Sequence, residues 1–118
     1  LGEVVAMGVP GYSAETTATA WDVLEHHVAP RLLGQRFATP AQLLAAVADI
    51  RGHNMAVAGI ETAFWDLLAR QFGVPLWQLL GGVRTRVAVG ASIGIQPSLE
   101  ATVTAAQQHL AEGYRRLK

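Results

Sequence analysis

The sequence predicts an α/β chain in two parts. Residues 1–82 read as a mostly helical lobe with one leading strand, and residues 83–118 as a strand–helix–strand unit. Three observations carry this. From Met55 to Phe72, apolar residues recur at three- and four-residue steps, the period of one long amphipathic helix. From Arg86 to Ile95, large and small residues alternate with period two, as they do along a strand. Gly81-Gly82 stands between the two patterns and interrupts both.

The elements follow in chain order. Residues 3–9 are rich in valine and read as a strand, ended by Pro10-Gly11. Ser13 is expected to cap the next helix, with Glu15 in its first turn and Trp21, Leu24, Val28 and Leu32 as its apolar stripe. Pro30 is expected to kink or interrupt that helix. Thr39-Pro40 supplies a cap and a first residue for another helix, with Leu43, Leu44 and Val47 turned inward. Asn54 is expected to cap the long helix and Gly73 to close it in the left-handed conformation. Pro75 restarts a short helix that Gly81-Gly82 stops.

After Gly82, Val87, Val89, Ala91 and Ile93 fall on one strand face, and Ala88, Gly90, Ser92 and Gly94 on the other. The bulky face suits packing against helices; the small face suits a crowded interior or a nearby ligand. Ser98 to Glu112 reads as a helix closed by Gly113, and Tyr114 to Lys118 begins a second strand. Short joints make this a parallel βαβ unit with a right-handed crossover. One such unit fits a barrel and an open sheet equally well.

Composition excludes several functions. The 118 residues carry zero formal net charge and only 15% charged residues, so no basic patch points to nucleic acid. There is no cysteine, which leaves neither disulfides nor thiolate metal sites and fits a reducing compartment. No apolar run reaches membrane-spanning length, and the first residues are no signal peptide. The expectation is a soluble, cytoplasmic protein with no nucleic-acid or membrane partner. His26 and His27 are adjacent and cannot share a helix face, so they do not form a metal pair. His53 reads as a structural hydrogen-bonder. Glu61 and Asp66, five residues apart on different helix faces, read as a structural and a solvated carboxylate rather than an acid–base pair. No Gly-x-Gly-x-x-Gly follows the first strand of the βαβ unit, which leaves a dinucleotide site without support. Leu1 reads as the middle of a strand and Lys118 as the start of one, so the expectation is an internal piece of a longer protein.

The order of residues in the long helix adds a resemblance. The run A-x-A-G-I-E-x-A-x-W-D-L-x-A-x-x-x-G-x-P-L-x-x-L-L-G-G, from Ala56 to Gly82, resembles the enolase superfamily, within it the mandelate racemase and muconate lactonizing group. Gly2 to Glu15, G-E-x-V-x-M-x-x-P-x-Y-S-x-E, is similar to the capping-lobe segment of N-acylamino acid racemases and o-succinylbenzoate synthases. Gly90 to Ile95, G-x-S-x-G-I, resembles their first barrel strand, and Gly113 to Lys118, G-Y-x-R-x-K, the approach to their Lys-x-Lys motif.

The resemblance implies a partial capping domain over 1–82 and the start of a (β/α) barrel over 83–118. It implies a longer, homo-oligomeric parent that abstracts the proton next to a carboxylate of a small substrate and holds the enediolate on Mg²⁺. Enolase-superfamily sites are a standard pairing of a lysine or histidine base with that ion. The metal's carboxylates come from later barrel strands, so no residue of this chain is a metal ligand and the piece alone is expected to be inert. Lys118 is implied as an active-site lysine beside a base two residues further on. Ser92 is implied to line the substrate pocket, and Met7 and Tyr12 to belong to the loop that closes over the acyl group. The sequence leaves open a muconate-type cycloisomerase, a dipeptide epimerase, and a self-standing helical interaction module without chemistry.

Overall fold

A computed structural model describes all residues from Leu1 to Lys118. The chain forms two compact units, Leu1–Gly82 and Val83–Lys118. The first contains α1 (Thr17–Val23), a π-helical turn (Leu24–Val28), α2 (Ala29–Leu32), α3 (Pro40–Ala45), α4 (Asn54–Phe72) and α5 (Leu76–Leu79). The second contains α6 (Leu99–Ala111) between two extended segments.

In the first unit the core gathers where α1, the π turn and α4 meet. Ala20, Val23, Val28, Val47 and Ala56 are buried together, with Val4, Leu24, Leu32, Ile50 and Ile60 packed against them. The expected stripe needs one correction here: Trp21 is 67% exposed, and its indole N–H donates to Glu25 Oε2 at 2.8 Å on the outer face. Ala20 and Val23 take the inward positions instead, and small residues there let α1 approach α4. Pro30 does not break the helix. The backbone widens by one residue just before it, with Ala29 N–H donating to the Leu24 carbonyl, so the proline ring meets no preceding carbonyl head-on.

The first helix begins later than expected. Thr16, not Ser13, is its cap: Thr16 Oγ1 accepts from Thr19 N–H at 3.2 Å, and Thr19 Oγ1 accepts from Thr16 N–H at 2.9 Å. Thr39 caps α3 as the sequence indicates, whereas Ser98, expected inside its helix, is the cap of α6, each accepting from the backbone three residues on.

Gly73 sits at φ 67° and closes α4 with a Schellman pair: Val74 N–H donates to the Ala69 carbonyl at 3.0 Å and Gly73 N–H to that of Arg70 at 3.2 Å. An L side chain at that φ costs about 1–2 kcal/mol. Gly73→Ala is therefore expected to lower unfolding free energy by roughly 1 kcal/mol in urea titrations; an unchanged midpoint would refute the closing role. The same two-bond pattern, Tyr114 to His109 and Gly113 to Leu110, ends α6.

Three expected strands are not strands. Residues 1–7 run extended, with Gly2, Val4 and Ala6 half-buried and their neighbours exposed, but no partner ladder forms. The segment lies instead on α4, where a Cβ at Gly59 would collide with Val4 Cγ2 and stand 3.2 Å from the Glu3 carbonyl oxygen. Period-two burial is present; the hydrogen-bonded neighbour that defines a strand is absent. Met7 makes only an isolated parallel bridge to Thr16. Residues 86–95 and 114–118 likewise meet in one isolated parallel bridge, Ala91 with Leu117.

Candidate functional site

The second unit is organised by that bridge. Ala91 N–H donates to the Arg116 carbonyl at 3.0 Å, Lys118 N–H to that of Ala91 at 3.0 Å, and Ile93 N–H to that of Lys118 at 2.8 Å. This evenly slanted pattern is the parallel one, with α6 as the crossover. Ala91, Ile93 and Leu117 are half-buried, while Ser92 and Lys118 are exposed. Register opposes Ala91 to Leu117, so Ser92 and Lys118 are neighbours on the other side of the pleat. A Cβ on Gly90 would stand 2.8 Å from the Arg116 carbonyl oxygen, so the two segments approach this closely only with glycine there.

In the first unit, Met7 and Tyr12 lie on an exposed connection between the extended segment and α1. Its far end holds a residue whose part sequence reasoning missed. Glu15 is 6% exposed, and its Oε1 and Oε2 accept from the backbone N–H groups of Met55 and Ala56 at 2.8 and 3.1 Å. Asn54, the expected cap, is the first helical residue, and His53 at the cap position makes no side-chain cap bond. Glu15 serves the N-terminus of α4 in their place, at the end where the helix dipole favours negative charge. A lone glutamate next to a helix start was the one available signal, and it was assigned to α1.

The remaining candidates are accounted for locally. Glu61 accepts from Trp65 Nε1 at 3.3 Å. Asp66 accepts from Arg70 Nε at 2.9 Å, one turn on along the same helix. His26 Nδ1 stands 3.1 Å from the Asp22 carbonyl oxygen. His53 departs from expectation: its Nδ1 is buried with no hydrogen-bond partner.

Two of the open grooves in the first unit differ in their lining. One, about 570 Å³, is lined by His27, Arg31, Asp49, Arg51 and His53 among others, and its charges compensate in an Arg31–Asp49 ion pair. The other, about 580 Å³, is apolar, between Leu32, Phe37, Leu43, Ile60 and Phe64. Neither is lined by Met7 or Tyr12.

The Mg²⁺ that the resemblance implies can be tested against the donors present. No three histidine, aspartate or glutamate side chains converge, whereas the ion takes near-octahedral oxygen ligation usually anchored by carboxylates. The residues of this chain do not fit a resident Mg²⁺, and no chemical step is derived through one. No helix is long and apolar enough to cross a membrane.

Comparison with known proteins covers both units. An N-succinylamino acid racemase of Thermus thermophilus is 51% identical over 118 residues, all of this chain and 32% of that protein. An o-succinylbenzoate synthase of Geobacillus kaustophilus is 46% identical over 117 residues, 99% of this chain and 31% of that protein. The chain thus spans about a third of the length of the curated relatives it matches. Among solved structures, a probable mandelate racemase of Alicyclobacillus acidocaldarius superposes with TM-score 0.86 at 39% identity, covering 98% of this chain and 32% of that one. An enolase-superfamily member of Listeria innocua gives TM-score 0.90 at 29% identity, covering 98% and 31%. The profile described as mandelate racemase / muconate lactonizing enzyme, N-terminal domain, matches residues 1–81. The chain belongs to the mandelate racemase / muconate lactonizing enzyme family, and its mostly helical first unit is that family's N-terminal domain.

Proposed function

We propose that this chain is the capping lobe and barrel start of an enolase-superfamily enzyme that removes the proton next to a substrate carboxylate. The parent is an o-succinylbenzoate synthase, an N-acylamino acid racemase, or an enzyme with both activities. One observation carries the reading: the likeness to relatives so named runs through all 118 residues at 51% identity, well past the 81 that the family profile matches. It supports assigning residues 83–118 to the first strand, first helix and second strand of a (β/α) barrel, whose edges further strands would complete.

Each site residue has a part in the proposal. Lys118 presents its ammonium beside the base and helps neutralise the substrate carboxylate. Ser92, next to it on the same face, lines the pocket. Met7 and Tyr12 contact the acyl substituent. Mg²⁺ belongs to the proposal only as a cofactor of the longer enzyme, with ligands from outside these residues. The parent is placed in the cytoplasm as a homo-oligomer, acting on a small carboxylate. The 118-residue chain alone is inactive, because barrel sites gather at the ends of many strands.

Dehydration and racemisation begin with the same proton abstraction, so one constellation serves either. The test is to assay the full-length enzyme both for racemisation of N-succinylamino acids and for formation of o-succinylbenzoate. Turnover in at least one assay is expected; turnover in neither, with α-proton exchange also absent, would discard the reading.

A further inference from the structure

The connection between residues 7 and 15 is open from Gly8 to Tyr12 and fastened at both ends, with Ser13 Oγ donating to the Glu15 carbonyl at 3.0 Å and standing 3.9 Å from Met55 Sδ. At the start, the carbonyls of Ala6 and Met7 accept from Thr17 Oγ1 at 2.9 Å and Thr17 N–H at 2.8 Å. At the finish, the buried Glu15 carboxylate spans 40 residues of sequence to take two N–H groups of α4. Between them, a Cβ added at Gly8 or Gly11 would meet nothing within 4 Å, and Tyr12 is 89% exposed. A short loop with free sides takes its position from its ends. One of those ends is a bidentate, charge-assisted contact to the longest helix in the chain.

We propose that Glu15 is a positioning residue: by clasping the N-terminus of α4 it fixes the 8–14 loop and so sets how well Tyr12 meets the acyl substituent of the substrate. The ligand half of this statement rests on the proposed function; the clasp rests on the geometry alone. A helix cap with no further role would also use these two hydrogen bonds. The two roles differ in what they predict for binding. A cap lost from α4 changes stability only, whereas a clasp lost from the loop changes substrate affinity while leaving the chemical step in place.

The experiment compares the full-length enzyme with Glu15→Gln, which keeps the shape but offers one acceptor oxygen and no charge. Glu15→Asp, which keeps the charge but shortens the reach, serves as the conservative variant and as the fallback if Glu15→Gln fails to fold. Amide hydrogen exchange and steady-state kinetics are read on each. In Glu15→Gln, the amides of Met55, Ala56 and Thr17, the last bonded to the Met7 carbonyl at the base of the loop, should exchange roughly tenfold faster, with mid-helix amides such as Leu68 unchanged. KM for an N-succinylamino acid should rise roughly five- to tenfold with kcat within about twofold, and Glu15→Asp should fall between. Faster exchange at Met55 and Ala56 with KM unmoved would overturn the positioning role and leave a helix cap. Unchanged exchange at all three amides would overturn the clasp. Should the unmutated enzyme turn over no N-succinylamino acid and form no o-succinylbenzoate, the proposed ligand falls with the proposed function. Exchange at Met55, Ala56 and Thr17 then decides the clasp by itself.

Discussion

In the full-length enzyme of the proposed function, Lys118→Ala is expected to slow exchange of the substrate's α-proton with solvent deuterium by roughly 10²–10³-fold while the fold stays intact. The size is that of losing one oriented charged donor at a reacting centre, on the order of 2–4 kcal/mol of transition-state stabilisation. The expectation rests on register. Lys118 is held by both its backbone groups, its N–H donating to Ala91 and its carbonyl accepting from Ile93. That pairing sets its side chain beside Ser92, opposite the half-buried Ala91 and Leu117. Lys118→Arg keeps the charge but spreads it over a planar fork, so it restores the rate only in part. An alanine variant that exchanges at the unmutated rate, with unchanged circular dichroism, makes Lys118 a surface residue of the second unit and removes it from the mechanism.

Val28→Ala destabilises the protein by about 2–3 kcal/mol, the usual range for emptying part of a packed core position. Val28 is 0% exposed and sits at the end of the π-helical turn, among Ala20, Val23, Val47 and Ala56. Its small neighbours have little side chain with which to refill the space, so the cavity term adds to the transfer term. Val87→Ala is the internal reference: that valine is 70% exposed, and truncating it should stay within about 0.5 kcal/mol. Urea unfolding of the two variants side by side checks both statements. Equal midpoints would mean that the π turn is not held by its packing.

The fold divides by the range of the forces that make it. The local features are legible in the residues alone. Thr39, Gly73 and Gly113 act on backbone groups within about five residues, and each does so where its residue type says it should. The three- and four-residue period from Met55 to Phe72 gives α4 its extent, and the order of residues within it points to the family without any structure. Other features depend on partners distant in sequence, which come together only in the folded chain. Glu15 reads as a first-turn acid of its own helix until Met55 and Ala56 are brought to it. Gly59 leaves on α4 the room that Val4 and Glu3 take where they cross it. Trp21 belongs to an inward stripe by period alone, yet the widened turn before Pro30 and the close approach of α1 to α4 leave it outside. Residues 1–7 alternate as a strand does and remain a single extended segment, because alternation is a property of one chain and a ladder is a property of two. The candidate residues follow the same division: the family resemblance nominated Met7, Tyr12, Ser92 and Lys118, whereas the backbone hydrogen bonds that hold Met7 to Thr17 and Lys118 to Ala91 and Ile93 are encoded in no side-chain pattern.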